Sequence, residues 1–309
     1  MEKDENVDYR VIGNTDLTAS VLGLGTSRLT SVSTGLSRRQ GLGLIAAAAD
    51  QGINFIDTAD IYGQGDSEAV IGQAIKGMRD RFIVATKVGY RFGEKSGFLV
   101  KAMPLLKRAL RPFKGARRFA ASMRNNAHDS NLITQDFSAA YLVAAVDNSL
   151  RRLGTDYVDI LYLHDAPSGF EKSEGLFEAL SLIQRAGKVR YFGISAEHDD
   201  ALKTACSNPL LRLVQTDLHP SRSRETFSSI EDAGRGVVVN KVFSRGQEEA
   251  VSAFAQRHGV TVRQVLLGYA LRQPFVASVL TGTTNRDHLS ENIASVRMAR
   301  HLPYEELGI

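Results

Sequence analysis

The 309-residue chain has a single cysteine, Cys206, so neither an internal disulfide nor a cysteine metal cluster is open to it, and a reducing, cytoplasmic setting is expected. No apolar run approaches the ~18 residues that crossing a bilayer requires. The first ten residues, MEKDENVDYR, are too acidic and polar for a secretory signal. A large excess of one charge is also missing, since 38 Lys and Arg stand against 34 Asp and Glu, a net of +4. Hydrophobic residues make up 43% and charged residues 23%, which excludes a disordered tail, a collagen-like chain and a coiled coil. The positive charge that exists collects in one place. Residues 91–128 carry ten Lys or Arg against one acid, Glu94, so the remaining body is mildly acidic and no general or sequence-specific nucleic-acid binder is expected.

Eight short runs rich in β-branched residues predict strands: Ser20–Leu24, Asn54–Asp57, Phe82–Lys87, Val158–His164, Val189–Ser195, Arg212–Thr216, Val237–Asn240 and Val276–Leu280. Helical patterns separate them, such as the stripe Leu142, Val146, Leu150 and Leu153, and Ser37-Arg-Arg-Gln40 reads as a capping box. Alternating strands and helices with short loops predict parallel βαβ units, and eight of these fit a closed (β/α)8 TIM barrel of the α/β class as one domain over 1–309. An open doubly wound sheet is the competitor, but Gly23-Leu24-Gly25 supplies only two of its three fingerprint glycines. Two segments break the rhythm. Tyr9–Thr18, with Gly13-Asn14 at its centre, predicts a hairpin before the barrel. Residues 91–136 form a long basic insert after the third strand, expected as a loop or lid over the C-terminal barrel face. The plainest reading of that insert is a solvated surface. The others are steering of an acidic substrate, membrane-surface binding and docking of a partner.

A TIM barrel carries its chemistry at the C-terminal strand ends. Thr26, Asp57, Lys87, His164, Ser195 and Gln215 fall there on successive strands, with Tyr62 five residues past Asp57 in a glycine-flanked loop. A free tyrosine, pKa ~10, is a poor acid at neutral pH. A nearby ammonium stabilises the phenolate and lowers that value, and a carboxylate on the same ammonium anchors it. A histidine can hold a carbonyl oxygen by hydrogen bond. Asp57, Tyr62, Lys87 and His164 therefore make sense together as a site that protonates an alkoxide as it forms, which carbonyl reduction by hydride requires. Taken singly, each has an ordinary reading as a turn cap, a packing residue, a strand-end lysine or a core histidine.

These residues lie in longer motifs: Leu22-Gly-Leu-Gly-Thr26, Gly52-Ile-Asn-Phe-Ile-Asp-Thr-Ala-Asp-Ile-Tyr-Gly63 with Ser67-Glu68, Ile83-Val-Ala-Thr-Lys87, the run Ser149–His164, Gly187-Lys-Val-Arg-Tyr-Phe-Gly-Ile-Ser195 and Val214-Gln215. With them the chain resembles the aldo-keto reductase superfamily from Tyr9 to about Asn292. The resemblance implies a cytoplasmic barrel enzyme that binds NADP(H), or less often NAD(H), without a Rossmann domain and without a metal. It implies Tyr62 as general acid/base, Lys87 and Asp57 as its tuning pair, and His164 as the carbonyl-orienting group. On the cofactor side it implies Gly25, Thr26 and Asp57 near the nicotinamide, with Ser195 and Gln215 on its carboxamide. Lys241 and Phe243 would lie along the ribose and pyrophosphate, and Gly282, Thr283, His288 and Asn292 at the adenosine end.

Several positions depart from that pattern. Ala196 replaces an asparagine beside the carboxamide serine, Asn240 replaces the aromatic that stacks on the nicotinamide, and Gly282 and His288 replace a lysine and an arginine at the adenosine end. A 2′-phosphate there would depend on Arg286 or a protonated His288. The expected substrate is a small carbonyl compound. Leu163-His-Asp165 and Gln215-Thr-Asp-Leu-His-Pro220 resemble the sugar-oxidising branch, which gives aldose oxidation as the alternative activity. A cofactor-binding regulatory subunit that docks a partner is the alternative from a different class.

Overall fold

The computed structural model describes residues 7–30, 36–92, 133–218, 224–244, 249–299 and 301–307. Strands β1 (Tyr9–Val11) and β2 (Thr18–Ser20) pair as an antiparallel hairpin. The barrel begins with β3 (Leu22–Gly25), β4 (Phe55–Asp57) and β5 (Ile83–Val88). A separate antiparallel pair follows, β6 (Tyr90–Phe92) with β7 (Ile133–Gln135). The barrel resumes with β8 (Val158–Leu163), β9 (Val189–Ser195), β10 (Leu211–Asp217), β11 (Gly236–Asn240) and β12 (Val276–Gly282). These eight strands are parallel throughout, and β12 closes on β3, so no edge is left unpaired and the open doubly wound alternative falls away.

Among the described residues, nine helices lie between and after the strands: α1 (Arg38–Asp50), α2 (Asp66–Ala74), α3 (Ala139–Leu153), α4 (Leu176–Arg185), α5 (Asp199–Ser207), α6 (Arg224–Asp232), α7 (Glu249–Arg257), α8 (Val262–Arg272) and α9 (Arg286–Ala299). Helix α1 starts at the expected capping box, where Ser37 Oγ accepts from the Gln40 amide and the Gln40 side chain accepts from the Ser37 amide. The expected stripe on α3 is buried at all four positions. No helix among the described residues is long and apolar enough to cross a membrane.

The apolar interior divides in two. One part fills the space between barrel and helices, and the other fills the barrel itself. Tyr162 occupies the barrel centre, and Gly193 makes room for it, because a Cβ there would come 2.8 Å from the Tyr162 ring. The hairpin supplies the floor. Ile12 and Leu17 from its turn are buried in the inner cluster, while Arg10 donates to the carbonyls of Leu271 and Val276 at 2.7 and 2.8 Å. Gly13 allows this fit, since its φ is +49° and a side chain would strike the backbone of Gly236.

A polar cluster on β8 and β9 reinforces the lower end of the barrel. Asp159, with 3% of its side chain exposed, accepts from Arg79 at 2.6 Å, Arg190 at 2.8 Å and the Val84 amide at 2.9 Å. Arg190 reaches on to Asp16 of the hairpin at 2.8 Å. The two ends of the basic insert form the β6–β7 ladder, and residues 93–132, including the expected lid, lie outside the described residues.

Candidate active site

The barrel register delivers the four reactive side chains to one rim. Asp57 ends β4, Lys87 is the penultimate residue of β5, and His164 follows β8 with its amide on the Val88 carbonyl at 2.8 Å. Tyr62 opens a short 3-10 turn, Tyr62–Gly65, between β4 and α2. That turn needs glycine at 63, where φ is +60° and a side chain would collide with Thr30. Lys87 Nζ meets Asp57 Oδ1 at 2.5 Å and the Thr58 carbonyl at 3.0 Å. The same ammonium lies 5.2 Å from the centre of the Tyr62 ring, and the His164 ring stands edge-on to Tyr62 at 5.8 Å. The four groups expected to act together therefore share one pocket.

The other rim residues brace this group. Asp57 Oδ2 accepts from Gln215 Nε2 at 2.7 Å, and Gln215 Oε1 accepts from Ser195 and Asn240, each at 3.2 Å. Thr26 is pinned by a chain of hydroxyls: Thr58 donates to Ser67 at 3.0 Å, Ser67 to Thr26 at 2.9 Å, and Thr26 to the Asp57 carbonyl at 2.9 Å. Glu68, fully buried, holds Thr86 at 2.7 Å and Arg152 at 2.6 Å beneath the strand ends.

Burial sets the protonation states. It pushes the Tyr62 phenol above its ordinary value, and Lys87 only partly offsets it, with Asp57 and Asp165 adding to the rise. This departs from the expectation of a lowered tyrosine, because desolvation of the phenolate outweighs the ammonium. Burial works against the Lys87 ammonium too, but Asp57 and Tyr62 more than compensate, so the lysine stays charged. His164 is held well below the ordinary histidine value by burial and then by Lys87 and Lys241. It is a neutral imidazole, its Nδ1 buried without a hydrogen-bond partner among the described residues. The site thus offers a protonated phenol with a cation beneath it, across from a neutral hydrogen-bonding ring. No cluster of metal-ligating side chains occurs among the described residues.

The cofactor-side positions spread along the rim from β10 to α9. Gly25 and Gly282 are register partners of β3 and β12, and a Cβ on either would make an ordinary contact at 3.6 Å or more. Thr283 is buried and Asn292 is 1% exposed, whereas His288 lies on the surface. Lys241 Nζ pairs with Glu197. Arg286 donates to the Gly43 carbonyl at 2.9 Å.

Sequence reasoning missed three contacts. The Tyr90 ring packs edge-on to His164 at 4.9 Å, and its hydroxyl donates to Asp165 at 3.0 Å. Tyr141 bridges the Tyr90 carbonyl and Asp60. Arg263 on α8 stacks 4.3 Å over Phe243 and donates to Asn292 at 3.2 Å. Only Arg263 left a signal, as a cation beside the Thr261–Gln264 capping box that starts α8.

Comparison with known proteins agrees with this fold. The profile of the aldo/keto reductase family matches residues 21–307. The uncharacterized oxidoreductase YqkF of Bacillus subtilis is 28% identical over 96% of this chain and 94% of its own length. L-galactose dehydrogenase of Arabidopsis thaliana is 26% identical over 94% of this chain and 88% of its own. The crystal structure of an aldo/keto reductase from Klebsiella pneumoniae in complex with NADP and acetate shares the fold, with a TM-score of 0.65 at 23% identity over 94% of this chain and 89% of that one. With a closed eight-stranded barrel and a family match over most of its length, the chain belongs to the aldo/keto reductase family of nicotinamide-dependent oxidoreductases.

Proposed function

We propose that this chain reduces an aldehyde or ketone to an alcohol, with Tyr62 delivering the proton and His164 holding the carbonyl oxygen. The observation that carries this reading is the Asp57–Lys87 pair beneath Tyr62, facing a neutral His164. Because the phenol keeps its proton in the resting site, it is available when negative charge develops on the substrate oxygen. Lys87 then stabilises the phenolate that remains, while Asp57 and Gln215 keep the ammonium in place. The residues present fit a nicotinamide cofactor. Gln215, Ser195 and Asn240 offer amide and hydroxyl groups beside Asp57, and Asn240 Oδ1 is a buried acceptor without a partner among the described residues. When bound, such a cofactor supplies the hydride for the carbonyl carbon.

NADP(H) is the preferred form in this reading, as in the Klebsiella complex. The cation that touches Asn292 is Arg263, and with Arg286 at the start of α9 it would stand in for the lysine and arginine that the family pattern has where this chain has Gly282 and His288. Arg263 is already oriented by Phe243 and Asn292, so its guanidinium fork is preorganised for a phosphate. Parallel fluorescence titrations should show NADPH binding about tenfold more tightly than NADH, consistent with one charge-assisted phosphate contact. An Arg263→Gln enzyme should lose most of that difference, with NADH affinity unchanged. Equal loss for both cofactors would remove Arg263 from this role.

The reverse reaction, oxidation of an aldose, is the second reading, favoured by the similarity to L-galactose dehydrogenase over most of the chain. Steady-state assays with a panel of aldehydes and aldoses separate the two. The basic residues of 91–128 support a substrate that carries an acidic group.

A further inference from the structure

Asp60 is a titratable group at this rim that the reaction above leaves unused. It lies in the chain between Asp57 and Tyr62, and its amide donates to the Lys87 carbonyl at 3.0 Å. Its carboxyl points inward. Oδ1 is buried with no hydrogen-bond partner among the described residues, and Oδ2 lies 3.3 Å from the Tyr141 hydroxyl.

The direction of that last contact follows from counting protons. The Tyr141 hydroxyl has one, and its shorter contact is to the Tyr90 carbonyl at 2.8 Å. A carbonyl can only accept, so Tyr141 donates to Tyr90. At 3.3 Å the Asp60–Tyr141 contact competes poorly for that proton, and it becomes a full hydrogen bond when Asp60 is the donor, in its acid form. Ionised, Asp60 would set a carboxylate against the phenol lone pairs and leave its other oxygen buried and bare, which is costly in a site of low dielectric.

The surrounding charges agree. Glu68 on α2 and Arg152 on α3 pair with each other at 2.6 Å, and Tyr141 is the further titratable group from α3. Burial and then Glu68 push the Asp60 carboxyl up to about 7, against the opposing pull of Arg152 and of the hydrogen bonds that Tyr141 and the Ile61 amide would give its ionised form.

We propose that Asp60 is a positioning residue for the carbonyl chemistry. As a neutral acid it ties the turn carrying Tyr62, through Tyr141, to the Tyr90 segment that packs on His164. The inference rests on the reading of Tyr62 and His164 as the reacting pair. The neutral acid is the working form, so activity is lost as pH rises through the Asp60 value. Stability has the same sign: a carboxyl that holds its proton more tightly folded than unfolded contributes most at low pH, and that contribution fades as pH rises toward about 7.

The test compares kcat and KM across pH for the wild-type enzyme and for Asp60→Asn, whose amide is permanently neutral and still able to donate to Tyr141. The wild-type kcat should fall on the alkaline side with a midpoint near 7, with KM little changed. One pH unit above that midpoint the variant should exceed the wild type about tenfold. Carbon NMR of aspartate-labelled wild-type protein should also show one carboxyl titrating near neutrality, and that signal should be missing from the variant. A variant that keeps the wild-type alkaline limb overturns the proposal. So does a wild type in which no aspartate titrates near neutrality, which decides the matter even if the variant fails to fold. Inactivity of the wild type toward every carbonyl and aldose would overturn the reductase reading instead, a separable result because the carboxyl titration needs no turnover.

Discussion

A Tyr62→Phe enzyme should bind its nicotinamide cofactor as tightly as the parent and turn over roughly a thousandfold more slowly, within the range that a positioned general acid contributes. Phenylalanine fills nearly the same space, so the glycine-dependent turn and the Asp57–Lys87 pair beneath it stay in place. What is lost is the one proton the site can deliver, because His164 is held neutral and Lys87 is committed to Asp57 and the Thr58 carbonyl. Fluorescence titration and steady-state assays on the same preparation separate binding from chemistry. Turnover within tenfold of the parent would remove Tyr62 from its role.

The second large effect lies at the opposite end of the barrel. Asp159→Ala should destabilise the fold by roughly 3–5 kcal/mol, the usual result of stripping one partner from a buried ion pair. The carboxylate serves three donors at once, so its removal leaves Arg79 uncompensated, takes from Arg190 the buried one of its two carboxylate partners, and leaves the Val84 amide without an acceptor. The hairpin is held less firmly as well, because Arg190, which reaches Asp16, loses its buried anchor. Calorimetry should show a melting temperature lower by roughly 5–8 °C. Activity per folded molecule at 25 °C should stay within twofold, since this end of a barrel bears on stability and the other on catalysis. A large fall in kcat without a fall in melting temperature would contradict that division.

The barrel was legible because its strands alternate with helices that carry strong apolar stripes and caps. Val189–Ser195 forms as expected to the residue. At β12 the pattern suggested an end at Leu280, yet the strand runs to Gly282, because Thr281 and Gly282 pair with Leu24 and Gly25 of β3. That extension depends on barrel closure, and local propensity does not encode it. The β6–β7 ladder was hidden for a related reason, being two three-residue pieces far apart in the chain.

Asp57, Lys87 and His164 were legible as candidates because they sit at strand ends, where position alone assigns a face, and Tyr62 because it lies five residues past Asp57 in a glycine-flanked loop. Asp60, Tyr141 and Arg263 were not, because their roles come from contacts between α3, α8 and the rim loops. The balance at Tyr62 was misread from sequence, since a neighbouring lysine is visible in a motif but the depth of burial is not.

The β6–β7 pair bears on how this enzyme can change. The chain departs at Phe92 and returns at Ile133, and these two residues are register partners on adjacent strands, so exit and re-entry are separated by only about 5 Å. Between two points that close, the thermodynamic penalty for extra length rises only logarithmically, about 0.6 kcal/mol for each doubling. The fold can therefore carry a longer or shorter segment between these two strands at little thermodynamic cost, while the barrel that bears them keeps its register.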